Sequence, residues 1–136
     1  LVLPEGAVDG QLMIYGFCDG AWSLKGQIAK EGGFVPVGAD VGPNGYLYLL
    51  ERHFAGVGFR SRIRRLSLGS PETQVETLLT TRLLAYDNLE GLAVWTDEDG
   101  HLRMTMVSDD NFKWFQTTQI VEFVLQSPLA SARTLP

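Results

Sequence analysis

Short apolar runs, each preceded by a turn that ends in glycine, recur along the chain and predict β-strands. The clearest runs are residues 10–18, 45–52 and 100–108. Glycine at the end of such a turn tolerates the positive φ that tight hairpins require. Two later runs, residues 59–68 and 119–125, are typical of strands that follow a hairpin. The pattern therefore predicts an all-β protein.

Two segments of the chain share the same internal order, and this repeat predicts the architecture. Each has a small-residue strand, a glycine turn, an apolar strand, a polar tip, a loop and an outer strand. Gly45 and Gly100 are equivalent points, 55 residues apart, and an earlier partial unit surrounds residues 11–17. A repeat of several antiparallel strands is typical of propeller blades. A β-sandwich is the alternative, but it does not require two segments of the same order. We therefore predict that residues 1–136 form one partial β-propeller domain of two to three blades.

The distribution of apolar and polar residues within the strands adds detail to this prediction. The runs LYLLE and MTMV are apolar on both faces, as expected for sheets packed between neighbouring blades. From residue 59 to 65, arginine alternates with other residues, which predicts an outer strand with Arg60, Arg62 and Arg64 on a solvated face. Residues 72–84 are the stretch with most support for a short helical turn, although their threonines and valine argue against a long helix.

Two or three blades leave sheet edges open, since propellers have about four to eight. Unpaired edges promote aggregation, so we expect the remainder of the propeller, or a second chain, to cover them. The chain opens LVLPEGAVDG without a methionine or a signal peptide, and we expect a piece of a longer or processed protein. No apolar run is long enough to cross a bilayer, so no membrane partner is predicted.

Composition and charge limit the possible partners. The formal net charge of -5 argues against binding to nucleic acid. The single cysteine, Cys18, is predicted to be a small buried apolar group, because it has no partner for a disulfide or a zinc site. Met104 and Met106 are predicted in the core, His101 in solvent. The tryptophans are predicted to be packing groups: Trp22, Trp95 and Trp114.

Polar residues flank the strands of the later unit. Asn88 and Glu90 precede one strand, while Asp109, Asp110 and Asn111 follow the next. Antiparallel neighbours place the start of one strand beside the end of the other. We therefore expect both groups at one end of the blade, at the mouth of the propeller.

The preceding unit offers the same kinds of groups. Asp40 is predicted at the start of its blade and Glu51 with Arg52 at the exit, all on the same face as the later cluster. Carboxylate and carboxamide oxygens suit Ca²⁺, and a guanidinium can hold an anion through two hydrogen bonds. The predicted roles are catalytic for Glu90, Asp40, Glu51 and Arg52, substrate-binding for Arg52, His53 and Asn88, and metal-binding for Glu90, Asp109 and Asn88.

A structural interpretation of the same residues remains open. Asp110 and Asn111 also suit turns, because their side chains can accept hydrogen bonds from nearby backbone amides. Glu51, Arg52 and Glu90 could form an ion-pair network between blades. The sequence has no G-x-S-x-G elbow, glycine-rich phosphate loop or H-E-x-x-H helix.

Several blocks resemble one known family. DNLEGLAVW, LRMTMVSDDNF, and YLYLLERHF followed by FRSRIRRLSL are similar to the C-terminal part of the bacterial phytase-like proteins, named for "esterase-like activity of phytase". The resemblance covers roughly residues 34–125. The link at residues 113–116, KWFQ, is bulkier than is usual in that family.

The resemblance implies a propeller of about six blades, a periplasmic or secreted location, and hydrolysis of phosphate or carboxylate esters. Two hypotheses follow. One is a hydrolase that acts on a small anionic or ester substrate with a divalent cation, and lactone hydrolysis is a variant of it. The other is a non-catalytic propeller that binds a ligand or partner, because fold alone does not fix function.

Overall fold

The computed structural model describes residues 1–69, 73–110 and 117–126. These residues contain strands and no helix. Their bounds are β1 Gln11–Cys18, β2 Ala21–Ala29, β3 Val35–Val41, β4 Leu47–Phe54, β5 Phe59–Leu66, β6 Val75–Thr80, β7 Leu89–Thr96, β8 Leu102–Ser108 and β9 Ile120–Leu125.

The strands form three antiparallel sheets in which consecutive strands are neighbours. The first sheet contains β1 and β2, the second β3 to β6, and the third β7 to β9. Val2 adds an isolated bridge to Tyr15, on the free edge of β1. The sheets match the repeat units, so the all-β, propeller-type fold is confirmed. The expected number of six blades stays a prediction.

The second sheet lies between the other two, and β4 contributes to both interfaces. Tyr48 and Leu50 pack with Leu89, Val94 and Met106 of the third sheet. Leu47 and Leu49 pack with Leu12, Ile14 and Ile28 of the first sheet. Successive side chains of a strand point to opposite faces, so alternate residues of LYLL pack into two different hydrophobic cores. The prediction that this run is apolar on both faces is thereby confirmed.

The innermost strands β3 and β7 approach closely at a glycine. A Cβ built on Gly38 would lie 2.7 Å from the backbone oxygen of Glu90. Such a contact is well inside van der Waals distance, so only glycine permits this spacing. The approach places the beginning of β7, with its polar residues, directly beside the second sheet.

Two predictions are wrong, and packing explains both: that of a short helical turn within residues 72–84 and that of an outer strand at residues 59–68. Residues 75–80 form β6, because they pair with β5 and extend the second sheet outward. The strand β5 is consequently the third of four, not an outer strand with a solvated face. Arg62 and Arg64 are 7% and 1% exposed, whereas Arg60 is half-buried.

Some of the predictions for the packing of individual side chains are confirmed and others are wrong. Met104 and Met106 lie in the core, as predicted. Cys18 is exposed, because it ends β1 at a hairpin turn, so the prediction of a buried thiol is wrong. Trp22 and Trp95 are 59% and 42% exposed and lie outside both core clusters. Trp114 lies outside the described residues.

Both outward faces of the stack carry large apolar side chains. Phe17, Trp22 and Leu24 are exposed on the first sheet, and Trp95 with Val107 on the third. The expectation that the remainder of the propeller or a second chain covers the open sheet edges stays a prediction. Within the described residues, no helix has the length and apolar character required to span a bilayer.

Candidate functional site

Two consecutive residues of β4, Glu51 and Arg52, belong to two separate polar clusters. They project from opposite faces of the strand, as the alternation of side chains requires. Glu51 points toward the first sheet and Arg52 toward the third, so they do not share one site. We call Arg52, Asn88 and Glu90 the rim cluster, and Glu51, Arg62 and Arg64 the buried cluster.

The rim cluster joins the second and third sheets through a single guanidinium nitrogen. Nη1 of Arg52 donates to Oδ1 of Asn88 and, at 2.7 Å, to Oε1 of Glu90. Nδ2 of Asn88 donates to the same Glu90 oxygen at 2.7 Å. The Arg52 and Glu90 side chains remain 26% and 38% exposed. The cluster is therefore ordered by its own contacts and still accessible to a small ligand.

Glu90 reaches this position because the pairing of β7 is irregular there. Leu89 pairs with Ser108 and Gly91 with Val107, which leaves Glu90 as the additional residue of a bulge. A bulge locally redirects the side chain of the additional residue. One feature of the sequence indicates the bulge, a glycine directly after the carboxylate.

The turn before β7 is fixed by the carboxylate of Asp87. Its Oδ1 accepts the backbone N–H of Asn88 at 2.8 Å, and its Oδ2 accepts that of Thr117 at 2.7 Å. The backbone oxygen of Asn88 accepts the N–H of Asp109 at 3.0 Å. Glu90 and Asp109 therefore lie at the same end of the third sheet, as the antiparallel argument predicted. Asn111 lies outside the described residues.

The buried cluster is an ion-pair arrangement in which, among the described residues, Nη2 of Arg62 is the one buried side-chain nitrogen or oxygen without a hydrogen-bond partner. Arg64 donates to both oxygens of Glu51, at 2.8 and 2.6 Å, and Nε of Arg62 donates to Oε2 at 2.7 Å. Glu51 is 0% exposed. The Arg62 guanidinium also stacks on Phe34, 4.4 Å from the ring centroid, and contacts the exposed Glu31 at 3.2 Å. These contacts favour the structural interpretation of Glu51.

Asp40 is placed at the other end of β3. It pairs with Tyr48, while Val35 pairs with Arg52. One carboxylate oxygen accepts the N–H of Val94 at 2.7 Å and the other that of Val41 at 2.9 Å. The prediction that Asp40 shares an end with Arg52 is wrong, because Asp40 lies near the end of β3 and not at its start, and antiparallel pairing places that end beside the beginning of β4. Its observed contact ties β3 to β7.

His53 also lies away from the rim cluster. Its ring packs against Phe34, with centroids 5.5 Å apart, on the same face of β4 as Glu51. His101, predicted in solvent, is exposed.

The rim cluster suits a divalent cation poorly. Oε1 of Glu90 already accepts from a guanidinium, whose positive charge opposes a second cation at that oxygen. Among the described residues, one group of three potential ligands from histidine, cysteine and acidic residues was found: Asp97, Asp99 and His101. That group lies in the β7–β8 turn.

Hydrogen bonds within the β7–β8 turn account for its acidic group. One oxygen of Asp97 accepts the N–H groups of Asp99 and His101, and the other accepts from Arg103 at 2.6 Å. The hydrogen bond from Arg103 holds the pKa of Asp97 below its ordinary value of 3.8. This turn is an exposed structural feature at the end opposite Glu90.

Sequence reasoning missed the aromatic side of the rim cluster. The Arg52 guanidinium lies over Phe59, 5.4 Å from the ring centroid, and Phe59 in turn packs on Phe54 at 5.2 Å. The available signal was the hairpin between β4 and β5, which pairs these two phenylalanines. An aromatic ring under a guanidinium restrains its orientation and shields one face from water.

A comparison with protein families gives one match. A family model described as "Phytase-like: Esterase-like activity of phytase" matches residues 17–112, most of the chain. The match includes all of the rim cluster and all of the buried cluster. Neither the curated proteins nor the solved structures gave a match.

Proposed function

Because this chain belongs to the phytase-like family with esterase-like activity, we propose that it hydrolyses a phosphate or carboxylate ester at the rim cluster. The single observation that carries the proposal is the position of Arg52. Its guanidinium crosses from the second sheet to Asn88 and Glu90 of the third and remains partly exposed. A restrained cation beside an accessible carboxylate is a suitable arrangement for this chemistry.

Each member of the cluster has a distinct role in the proposed reaction. Glu90 accepts a proton from a water molecule as the water oxygen attacks the ester carbon or phosphorus. The bond to the leaving oxygen then breaks, and the proton passes from Glu90 to that oxygen. Arg52 stabilises the negative charge that develops on the ester oxygen. Asn88 is a positioning residue, since it holds Oε1 of Glu90 through its amide.

The sequence suggested a version of this reaction with Ca²⁺ bound by Glu90, Asp109 and Asn88. The position of Arg52 supports the version in which the guanidinium provides the positive charge. The proposal also includes a small anionic or ester substrate and a periplasmic or secreted location, as the sequence analysis expects.

Hydrolysis of 4-nitrophenyl acetate and 4-nitrophenyl phosphate by wild type, Glu90→Gln and Glu122→Gln tests the proposal. Glu122 is a matched control, because its side chain is also 38% exposed and also bonds an arginine, at 2.6 Å. We expect Glu90→Gln to lower kcat about 100-fold or more for whichever ester is hydrolysed, with Glu122→Gln unchanged. Equal activity of the three proteins would contradict the proposal.

Ligand binding without turnover is the second candidate, and the mutual neutralisation of Arg52 and Glu90 favours it. In that case Arg52→Ala weakens ligand affinity, and no ester is consumed by the wild type. A collapse of turnover at unchanged affinity in Arg52→Ala would instead contradict the binding hypothesis.

A further inference from the structure

We propose that the cavity beside the rim cluster binds an apolar acyl or aryl group, so that the substrate is a neutral or singly charged ester and not a polyphosphate. This inference rests on the proposed function for its catalytic part. It specifies the class of substrate, and it can be tested by binding alone.

The cavity lies between the second and third sheets and has a volume of about 270 Å³. Most of its wall is apolar or aromatic, and the side chains that form that wall are Phe54, Val57, Phe59, Leu84 and Tyr86. Asp87 and Gln119 form the polar side. Small-molecule sites are commonly apolar concavities with a few polar groups that fix orientation. The volume suits a short acyl chain or one aromatic ring.

Two residues connect the cavity with the rim cluster. Phe59 lines the cavity, and the Arg52 guanidinium lies 5.4 Å from the centroid of its ring. Asp87 lines it from the other side and holds the backbone of Asn88. A ligand that places its carbonyl or carboxylate at Arg52 would therefore extend its apolar end over Phe59 into the cavity.

Leu84 is held in an unusual conformation at the edge of the cavity. Its φ is +63°, in the left-handed region that leucine rarely adopts. Its side chain is nevertheless 65% exposed. A Cβ on Gly58 would lie 2.1 Å from Leu84 Cδ2, so Gly58 provides the space in which Leu84 sits. An exposed leucine in a strained position is explained if a ligand covers it.

The charges around the cavity oppose a polyanionic ligand. Asp87 is the one acidic residue among the described residues that line it, and it adjoins Asn88 of the rim cluster. Arg62 and Arg64, which the sequence placed on the surface, are buried and bound to Glu51. Arg52 is the one cation of the rim cluster, and one cation does not balance several phosphates.

Turnover of 4-nitrophenyl esters with acyl chains of two, four and six carbons provides the first test. We expect kcat/KM to rise by about fourfold per methylene until the cavity is filled. Leu84→Asp and Val57→Asp should reduce the preference for hexanoate over acetate about tenfold or more. Leu24→Asp is the control, because Leu24 is an exposed leucine on the first sheet, and it should keep the preference. Val57 is 75% exposed, so its variant guards against misfolding of the Leu84 variant.

Calorimetric binding of 4-phenylbutyrate and of phytate separates this inference from the proposed function. We expect the monoacid to bind wild type more tightly than phytate and to lose at least tenfold in affinity in Val57→Asp. If no ester is hydrolysed but this binding pattern holds, the proposed function fails and the apolar site stands. If esters are hydrolysed with no dependence on acyl length, or phytate binds more tightly, the apolar site is overturned.

Discussion

Glu51 and Arg52 are adjacent in the chain, yet their environments are opposite. Glu51 is 0% exposed and satisfied by two arginines of the neighbouring strand. Arg52 is 26% exposed and satisfied by an amide and a carboxylate of the next sheet. Both lie on β4, so the difference arises only from the face to which each side chain points.

Burial and the position of the partners distinguish structural from functional charges in this propeller-type stack. A charge that is buried and closed by its partners stabilises an interface and has no access to a ligand. A charge that bridges two sheets at their end, with part of its surface exposed, can exchange a protein contact for a ligand contact. Substitutions in the buried cluster should therefore change mainly the stability, whereas substitutions in the rim cluster should change mainly ligand binding or turnover.

Loss of the buried carboxylate is expected to have the largest effect on stability. Glu51→Gln leaves the buried Arg62 and Arg64 with only the exposed Glu31 as a counter-charge, which should lower the free energy of unfolding by about 3–5 kcal/mol. Urea denaturation measures it. Glu76→Gln is the control, because it removes the exposed partner of Arg65 on the same sheet, and such pairs contribute about 0–1 kcal/mol. Similar losses for both variants would contradict the assignment of Glu51.

Truncation of Arg52 is expected to affect stability less and ligand binding more. Arg52→Ala removes a partly exposed ion pair, for which a loss of about 1 kcal/mol is expected, together with its contact to Phe59. In the same protein, affinity for an anionic ligand should fall at least tenfold. Arg52→Lys should recover only part of the affinity, because an ammonium lacks the planar fork of a guanidinium. Full recovery by lysine would argue against directional recognition.

A partly buried ion pair in the third sheet, between Arg103 and Asp97, gives a smaller, pH-dependent effect. The pKa of Asp97 is lowered in the folded state, chiefly by the hydrogen bond from Arg103. Its stabilising contribution is therefore fully present above the ordinary pKa of 3.8 and is lost as pH falls through the lower folded-state pKa. Asp97→Asn should flatten the acid side of the stability profile, as measured by urea denaturation at several pH values. An unchanged profile would show that Asp97 does not contribute.

Calcium is expected to have the smallest effect on stability. Arg52 already neutralises Glu90, so millimolar Ca²⁺ should leave the Tm of the wild type unchanged. Scanning calorimetry with Mg²⁺ as the control cation measures this. A Ca²⁺-specific rise in Tm that disappears in Glu90→Gln would favour the sequence-based metal site over the contacts described above.

The sequence predicted the fold better than the site because strand pattern and register are local. Turn glycines and apolar alternation located most strands, and antiparallel pairing correctly placed Glu90 with Asp109. The outermost strand β6 was missed because its pattern, VETLLT, is weak and its pairing with β5 defines it. The predicted grouping failed for Asp40, which lies near the end of β3 and not at its start, and for Glu51, whose side chain points to the face of β4 opposite that of Arg52.

The arginines of β5 illustrate the same limit. Alternation of Arg60, Arg62 and Arg64 with other residues indicates one polar face, but it does not say whether that face meets water. The opposing residue in β4 decides this, since Arg62 pairs directly with Glu51. A buried carboxylate on the neighbouring strand is the information that the pattern of β5 alone lacks.

Ester turnover per folded molecule in Glu51→Gln and Glu90→Gln tests the separation of the two clusters most directly. The folded fraction of each variant is determined by urea denaturation under the assay conditions, and kcat/KM is divided by it. We expect folded Glu51→Gln to hydrolyse the ester within about twofold of wild type, whereas Glu90→Gln loses about 100-fold or more. Full activity in folded Glu90→Gln together with its loss in folded Glu51→Gln would contradict it.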